Sequence, residues 1–206
     1  MRIAVVDYGI GNLHSAHKAL LRVGAEAELV EDPAAVDVAD AVVLPGVGNF
    51  GACMRALRSR GLDRSVSAAV AEGRPFLGIC VGMQMLFESS AESPDTPGLG
   101  VLRGSVEWLP ESVKRPQMQW NRLEVDGVDP VIGPVGDWYY FVHSLAAVPA
   151  DPSTVVATVD YGGPVTAVCR SGSVTAMQFH PEKSGEAGLA LLRRWVDWAR
   201  EQTRVA

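Results

Sequence analysis

From its start to about residue 87 the chain alternates short apolar runs with helical periodicity, and few folds accept that order. Residues 3–6, 27–30, 41–44 and 75–79 read as buried strands. Between and after them come a helix with Leu13, Ala16, Leu20 and Val23 on one face, helical stretches over 52–71 broken at Gly61, and a helix from Val81 to about Phe87. Strands interleaved with helices pair in parallel through right-handed crossovers. The second half differs. Residues 101–108, 121–125, 138–142, 155–161, 165–170 and 174–179 are strand-like and separated by Gly, Pro and Asp turns, which suits antiparallel hairpins at one side of the sheet. A closing helix carries Leu189, Leu192, Trp195, Val196 and Ala199 on one face, with Ser184 placed to cap it. The expected architecture is α/β: an open, mostly parallel sheet with helices on both faces and an added antiparallel section, in one domain over residues 1–206.

Composition narrows the function. Of 206 residues, 48% are hydrophobic and 20% charged, which is the profile of a folded globular chain. A net charge of −6 excludes a general grip on nucleic acid or anionic membrane. No run approaches the ~20 apolar residues of a membrane span. Charge returns at Asp7, too early for a signal peptide. Cys53, Cys80 and Cys169 are odd in number and widely spaced, so neither a disulfide framework nor a zinc knuckle follows, and a reducing cytoplasm is expected.

Gly78-Ile79-Cys80-Val81-Gly82 is the most informative stretch. A strand must turn sharply into a helix here, and glycines two residues to either side leave room for that turn. The central residue then stands at the carboxyl end of the sheet, as in a nucleophile elbow. The free amides and dipole of a helix N-terminus favour thiolate over thiol. The bland alternative is a structural cysteine between two packing glycines. Cys53, in a helical pattern, and Cys169, in a strand, lack this context and read as fillers.

His180-Pro181-Glu182 follows another apolar strand, so it too should lie at the ligand-binding end of the sheet. A thiol nucleophile needs a base, and that base needs a partner to fix its tautomer. Glu182 can turn a carboxylate back toward His180, although a surface turn would read the same in isolation. With the elbow cysteine 180 − 80 = 100 residues earlier, a Cys-His-Glu triad emerges. Gly46-Val47-Gly48-Asn49-Phe50-Gly51 matches GxGxxG, but on the wrong βα turn and without the acidic residue of a dinucleotide site. It reads either as a simple turn or as flexible backbone presenting an amide to an oxyanion. His143 is open between a second base, a ligand contact and a strand histidine. His14 and His17 read as surface or packing residues. A metal site from Cys80, His180, Glu182 and His143 lacks any local ligand pair, so no metal or cofactor is expected.

Taken together these motifs resemble the triad (class I) glutamine amidotransferases, which are flavodoxin-like. Within them the chain is similar to the family of glutaminase subunits of imidazole glycerol phosphate synthase, in histidine biosynthesis. The resemblance is carried by Asp7-Tyr8-Gly9-Ile10-Gly11-Asn12-Leu13, Leu44-Pro45-Gly46-Val47-Gly48, the elbow through Gln84, Tyr140-Phe141-Val142-His143-Ser144 and Gln178-Phe179-His180-Pro181-Glu182-Lys183-Ser184. It implies that Cys80 attacks the side-chain amide of glutamine, His180 shuttles the proton and Glu182 orients His180. It further implies Val47 and Val81 as oxyanion donors, and Gly48, Gln84, His143 and Ser144 as glutamine contacts. The implied partner, at one to one, is a (β/α)8-barrel cyclase that uses the ammonia, met by Asn12, Trp120 and Lys183. One departure stands out: the family usually reads Pro-His-Met-Gly-Trp-Asn where this chain has Pro116-Gln117-Met118-Gln119-Trp120-Asn121. Glutaminases of other synthases usually carry Gly-Gly-Glu-Ser in the oxyanion loop or lack Lys-Ser after His-Pro-Glu. Intracellular peptidases usually have His, not Val81, after the cysteine. A non-catalytic scaffold would be expected to have lost part of the triad.

Overall fold

The structure, a computed structural model, describes residues 1–125, 127–133 and 137–205. Its first half comprises β1 (Arg2–Val6), α1 (Leu13–Arg22), β2 (Glu26–Val30), α2 (Pro33–Asp37), β3 (Ala41–Gly46), α3 (Phe50–Ser59), α4 (Leu62–Ala71), β4 (Phe76–Cys80) and a short α5 (Val81–Gln84). Strands β3 and β4 are buried along their whole length, as strands covered on both faces must be. Gly61 separates α3 from α4 at φ +69°, a left-handed conformation that costs glycine little. Helix α2, invisible to periodicity, starts on local chemistry: Asp32 Oδ1 accepts from the Ala34 amide at 3.0 Å, and Pro33 opens the first turn.

The second half supplies β5 (Ser89–Ser90), β6 (Gly104–Trp108), β7 (Gln117–Arg122), β8 (Glu124–Val125), β9 (Trp138–His143), β10 (Leu145–Pro149), β11 (Val155–Asp160), β12 (Pro164–Ser171), β13 (Val174–Met177) and α6 (Gly185–Val205). Eight strands form one sheet in the order β2-β1-β3-β4-β13-β12-β11-β8. Pairing is parallel from β2 to β13 and antiparallel beyond it, which is the expected open sheet with an antiparallel section. Strands β10, β6 and β5 make a small second sheet, and β7 pairs with β9 alone. Helices α1 and α6 pack together, whereas α2, α3, α4 and α5 form a second group.

Three expectations shift. Helix α5 ends at Gln84 rather than near Phe87. The backbone tightens to Leu86 N–H on Met83 O and Phe87 N–H on Gln84 O, while the carbonyls of Met85, Leu86 and Phe87 accept from Leu99, Leu102 and Gly100. A passing loop therefore takes the bonds a longer helix would need, and it also delays β6 from residue 101 to Gly104. The strand expected over 121–125 divides at buried Leu123, with β7 serving the two-stranded sheet and β8 the edge of the large one.

Three parallel strand ends lie side by side, with Gly46 opposite Cys80 and Met177 opposite Ile79. The carboxyl ends of β3, β4 and β13 thus converge on one place.

Candidate active site

Cys80 ends β4 and directly precedes α5 at φ +54°, ψ −114°, and no other non-glycine among the described residues has a positive φ. Such backbone costs on the order of 1–3 kcal/mol and persists only where packing dictates it. The flanking glycines explain how. A Cβ at Gly82 would lie 1.8 Å from the Leu44 carbonyl oxygen, and one at Gly78 would lie 3.0 Å from Met83 Cα. Close approach of α5 to β3 and β4 therefore requires glycine on both sides of the cysteine. The elbow is real.

His180 lies three residues beyond β13. Phe179 anchors the segment, fully buried with ring centroids 4.5 Å from Tyr139 and 5.4 Å from Phe141. The His180 amide donates to the Tyr140 carbonyl at 3.0 Å. Ser184 stands directly before α6 and its carbonyl accepts from the Gly188 amide at 3.1 Å, but its hydroxyl does not cap the helix. Its hydroxyl instead donates to the His180 carbonyl at 2.7 Å and accepts from the Tyr140 amide at 3.0 Å, tying β9 to the histidine. A single helical turn, Pro181–Lys183, returns the Glu182 carboxylate to the ring. His180 Nδ1 lies 2.7 Å from Glu182 Oε1, with the two side chains 3% and 2% exposed. Burial by itself would depress the basicity of His180. Hydrogen bonding to Cys80 and Glu182, together with their charges, outweighs it and pushes the imidazole up to about 10.

The other thiols lack this setting. Burial pushes the Cys169 thiol up to about 12 and also raises that of Cys53. Cys53 is not inert packing, however: its Sγ lies 3.3 Å from the Val47 carbonyl, and the Tyr8 hydroxyl donates to the Pro45 carbonyl at 2.9 Å. The loop over residues 45–47 is thus held at two carbonyls by buried side chains that sequence reasoning had left as filler or unassigned.

A cavity of about 500 Å3 opens over the elbow. Cys80, His180, Val47, Val81, Gly48 and Gln84 line it. So do His143 and Ser144, with Asn12 and Lys183 among the walls. Glu182 stands behind His180 rather than on the wall, as an orienting group should. Trp120 lies outside the cavity on β7, 47% exposed, its ring 5.9 Å from that of Tyr140. Beside it Gln117 and Gln119 both donate to Asn121 Oδ1, at 3.1 and 2.6 Å, so the two departures from the family pattern converge on the residue that follows Trp120.

His143 Nδ1 lies 2.8 Å from the Leu145 carbonyl and therefore donates to it, leaving Nε2 buried and without a partner. Burial, reinforced by the nearby charge of His180 and opposed by the Leu145 bond, holds His143 down to about 4, so it is neutral at pH 7. Gln84 Nε2 also donates to Leu145 O, at 3.1 Å, and to Gln178 Oε1 at 3.0 Å. Sequence reasoning gave Gln178 no role, although it stands in the Gln-Phe-His-Pro-Glu run. Among the described residues no three His, Cys, Asp or Glu side chains group to hold a metal ion, and no helix is long and apolar enough to cross a membrane.

An elbow cysteine beside a histidine that is paired with a buried carboxylate just past the neighbouring strand is the arrangement a thiol nucleophile and its oriented base would need on an α/β sheet. Residues 4–197 match the glutamine amidotransferase class-I family. The protein named imidazole glycerol phosphate synthase subunit HisH in Symbiobacterium thermophilum is 48% identical over 196 residues, 94% of this chain and 92% of that protein. Its namesake in Methanothermobacter thermautotrophicus is 45% identical over 196 residues, covering 95% and 98%. A crystal structure of a glutamine amidotransferase superposes with a TM-score of 0.78 at 25% identity, covering 96% of this chain and 98% of that one. PurLQS from Thermotoga maritima shares the fold, with a TM-score of 0.75 at 23% identity over 96% of this chain and 98% of that one. The chain belongs to the class-I glutamine amidotransferases, in the family of imidazole glycerol phosphate synthase HisH subunits.

Proposed function

We propose that the chain hydrolyses glutamine through Cys80, His180 and Glu182 and passes the ammonia to a (β/α)8-barrel cyclase subunit, one to one, for imidazole glycerol phosphate synthesis. The observation that carries this reading is the 2.7 Å His180–Glu182 contact at the strand end beside the strained Cys80 elbow. The Cys80 thiolate attacks the side-chain carbonyl carbon of glutamine. His180 gives its proton to the departing nitrogen as the C–N bond breaks, and ammonia leaves behind a glutamyl thioester. Water, deprotonated by His180, then attacks the thioester and releases glutamate and the thiolate. Negative charge on the tetrahedral oxygen is met by the Val81 amide at the start of α5 and by the Val47 amide. Gln84 Oε1 presents an acceptor to the nitrogen donors of glutamine, with His143, Gly48 and Ser144 completing the pocket.

Asn12 and Lys183 at the cavity, together with exposed Trp120 on β7, form the surface that meets the barrel. Coupling runs through residues 45–48. The Gly46–Val47 peptide, between carbonyls held by Tyr8 and Cys53, rotates to bring the Val47 amide to the oxyanion when partner and ligand bind. One missing oxyanion donor costs about 10²–10³-fold in rate. The test is steady-state glutaminase activity of the lone chain, of the pair with a cyclase barrel, and of that pair with its ribonucleotide ligand. Activity should rise at each step; equal rates in all three would refute the coupling.

A further inference from the structure

We propose that Gln178 is a further catalytic residue, whose side-chain amide donates a hydrogen bond to the Cys80 sulfur. This rests on Cys80 being the nucleophile. Gln178 is fully buried one residue past the end of β13, and its Nε2 lies 3.8 Å from Cys80 Sγ, within hydrogen-bonding reach for sulfur.

The direction of that bond follows from a chain of exclusions. A backbone carbonyl only accepts, so the Gln84 atom facing Leu145 O is the nitrogen. The same nitrogen faces the Gln178 amide at 3.0 Å, so the Gln178 atom there is the oxygen. What Gln178 then turns toward Cys80 is its NH2 group. The His143 ring nitrogen on Leu145 O is likewise a donor, which leaves its other nitrogen buried and unpaired. One peptide carbonyl, that of Leu145, thus fixes both the tautomer of His143 and, through two glutamines, a donor at the nucleophile.

A donor at this place acts whenever the sulfur carries charge. It stabilises the resting thiolate opposite His180, and it stabilises the sulfur again as the thioester breaks and glutamate leaves. A thioester sulfur is a poor acceptor, so the bond weakens on acylation and strengthens as the thioester breaks, the step in which charge returns to the sulfur. Hydrogen bonds to charged groups contribute enough for about 10- to 100-fold in rate.

The test needs no substrate. Iodoacetamide alkylation of Cys80, followed by mass spectrometry of its peptide, is compared in the full chain for wild type, Gln178→Met and Gln178→Glu, with glutamine hydrolysis measured alongside. Gln178→Glu keeps an oxygen for Gln84 but turns a second oxygen on the sulfur, so it separates a lost donor from a lost packing volume. Both variants should alkylate about 10-fold or more slowly at neutral pH, with the pH profile displaced upward, and hydrolysis should fall with alkylation. In the unsubstituted protein, the Gln178 side-chain NH2 resonance should move as Cys80 is alkylated, which needs no folded variant. Wild-type rates and profiles in both variants, or an unmoved resonance, would overturn the proposal. Failure of wild type itself to react at Cys80 or to hydrolyse glutamine would instead overturn the triad reading.

Discussion

His180 Nδ1 and Glu182 Oε1 lie 2.7 Å apart on side chains almost closed to solvent, although only Pro181 separates the two residues. A single helical turn forces the carboxylate onto the far side of the ring from the cavity, so Nε2 is left for the chemistry. Replacing Glu182 by Gln keeps the shape and removes the charge that favours imidazolium. The turnover number should fall by about 10²–10⁴-fold, while iodoacetamide still reaches Cys80. An unchanged kcat in the partner complex would show that the carboxylate does no catalytic work.

The same pair sets a pH dependence of stability. The folded-state value of His180 is raised from 6.5 to about 10, so its protonated form stabilises the fold fully below about pH 6.5. That contribution is lost as pH rises through 10. Urea midpoints measured from pH 6 to 10 should therefore decline, and His180→Asn should flatten the decline. A slope identical in wild type and variant would remove His180 from the account.

Backbone strain at the elbow gives a prediction of opposite sign for stability and activity. Cys80 is held at φ +54° between two glycines that permit the close packing of α5. Both Cys80→Ala and Cys80→Gly should abolish hydrolysis. Glycine, at home in this conformation, should leave the protein about 1 kcal/mol more stable than alanine after its greater unfolded-state entropy is counted. Chemical denaturation of the two variants checks this, and alanine as stable as glycine would mean the elbow is unstrained.

How much of this was legible in the sequence depended on how local the cause was. Gly78 and Gly82 around Cys80, the break at Gly61, and His-Pro-Glu after an apolar strand all act through their own few residues, and each stands where the pattern placed it. The early end of α5 was not legible, because the carbonyls beyond Gln84 are claimed by residues 99–102 of a distant loop. Strand β10 reads Leu-Ala-Ala-Val-Pro, weak in strand formers, and owes its form to pairing with β6. Ser184 looked like a cap because a serine precedes a helical pattern; the nearby Tyr140 amide took its hydroxyl instead. Gln178 is silent in sequence, since its meaning lies in Gln84, 94 residues away.

On β7, Met118 and Trp120 are 60% and 47% exposed, large apolar side chains on a strand that follows the cavity-lining Pro116. Trp120→Ala should leave the fold of the lone chain unchanged and weaken its binding to the cyclase barrel by about 30-fold, as loss of a buried aromatic anchor does. Titration calorimetry against the barrel reads this directly. Wild-type affinity would place the partner surface elsewhere.

The most direct measurement of the central claim is capture of the covalent intermediate. The chain, paired with a cyclase barrel and given glutamine, is quenched in acid, digested and weighed by mass spectrometry. A glutamyl group should appear on the peptide bearing Cys80, accumulate when deacylation is slowed, and be absent from the peptides of Cys53 and Cys169. A glutamyl adduct on either of those cysteines, or hydrolysis that persists in Cys80→Ala with no adduct at all, would contradict the mechanism.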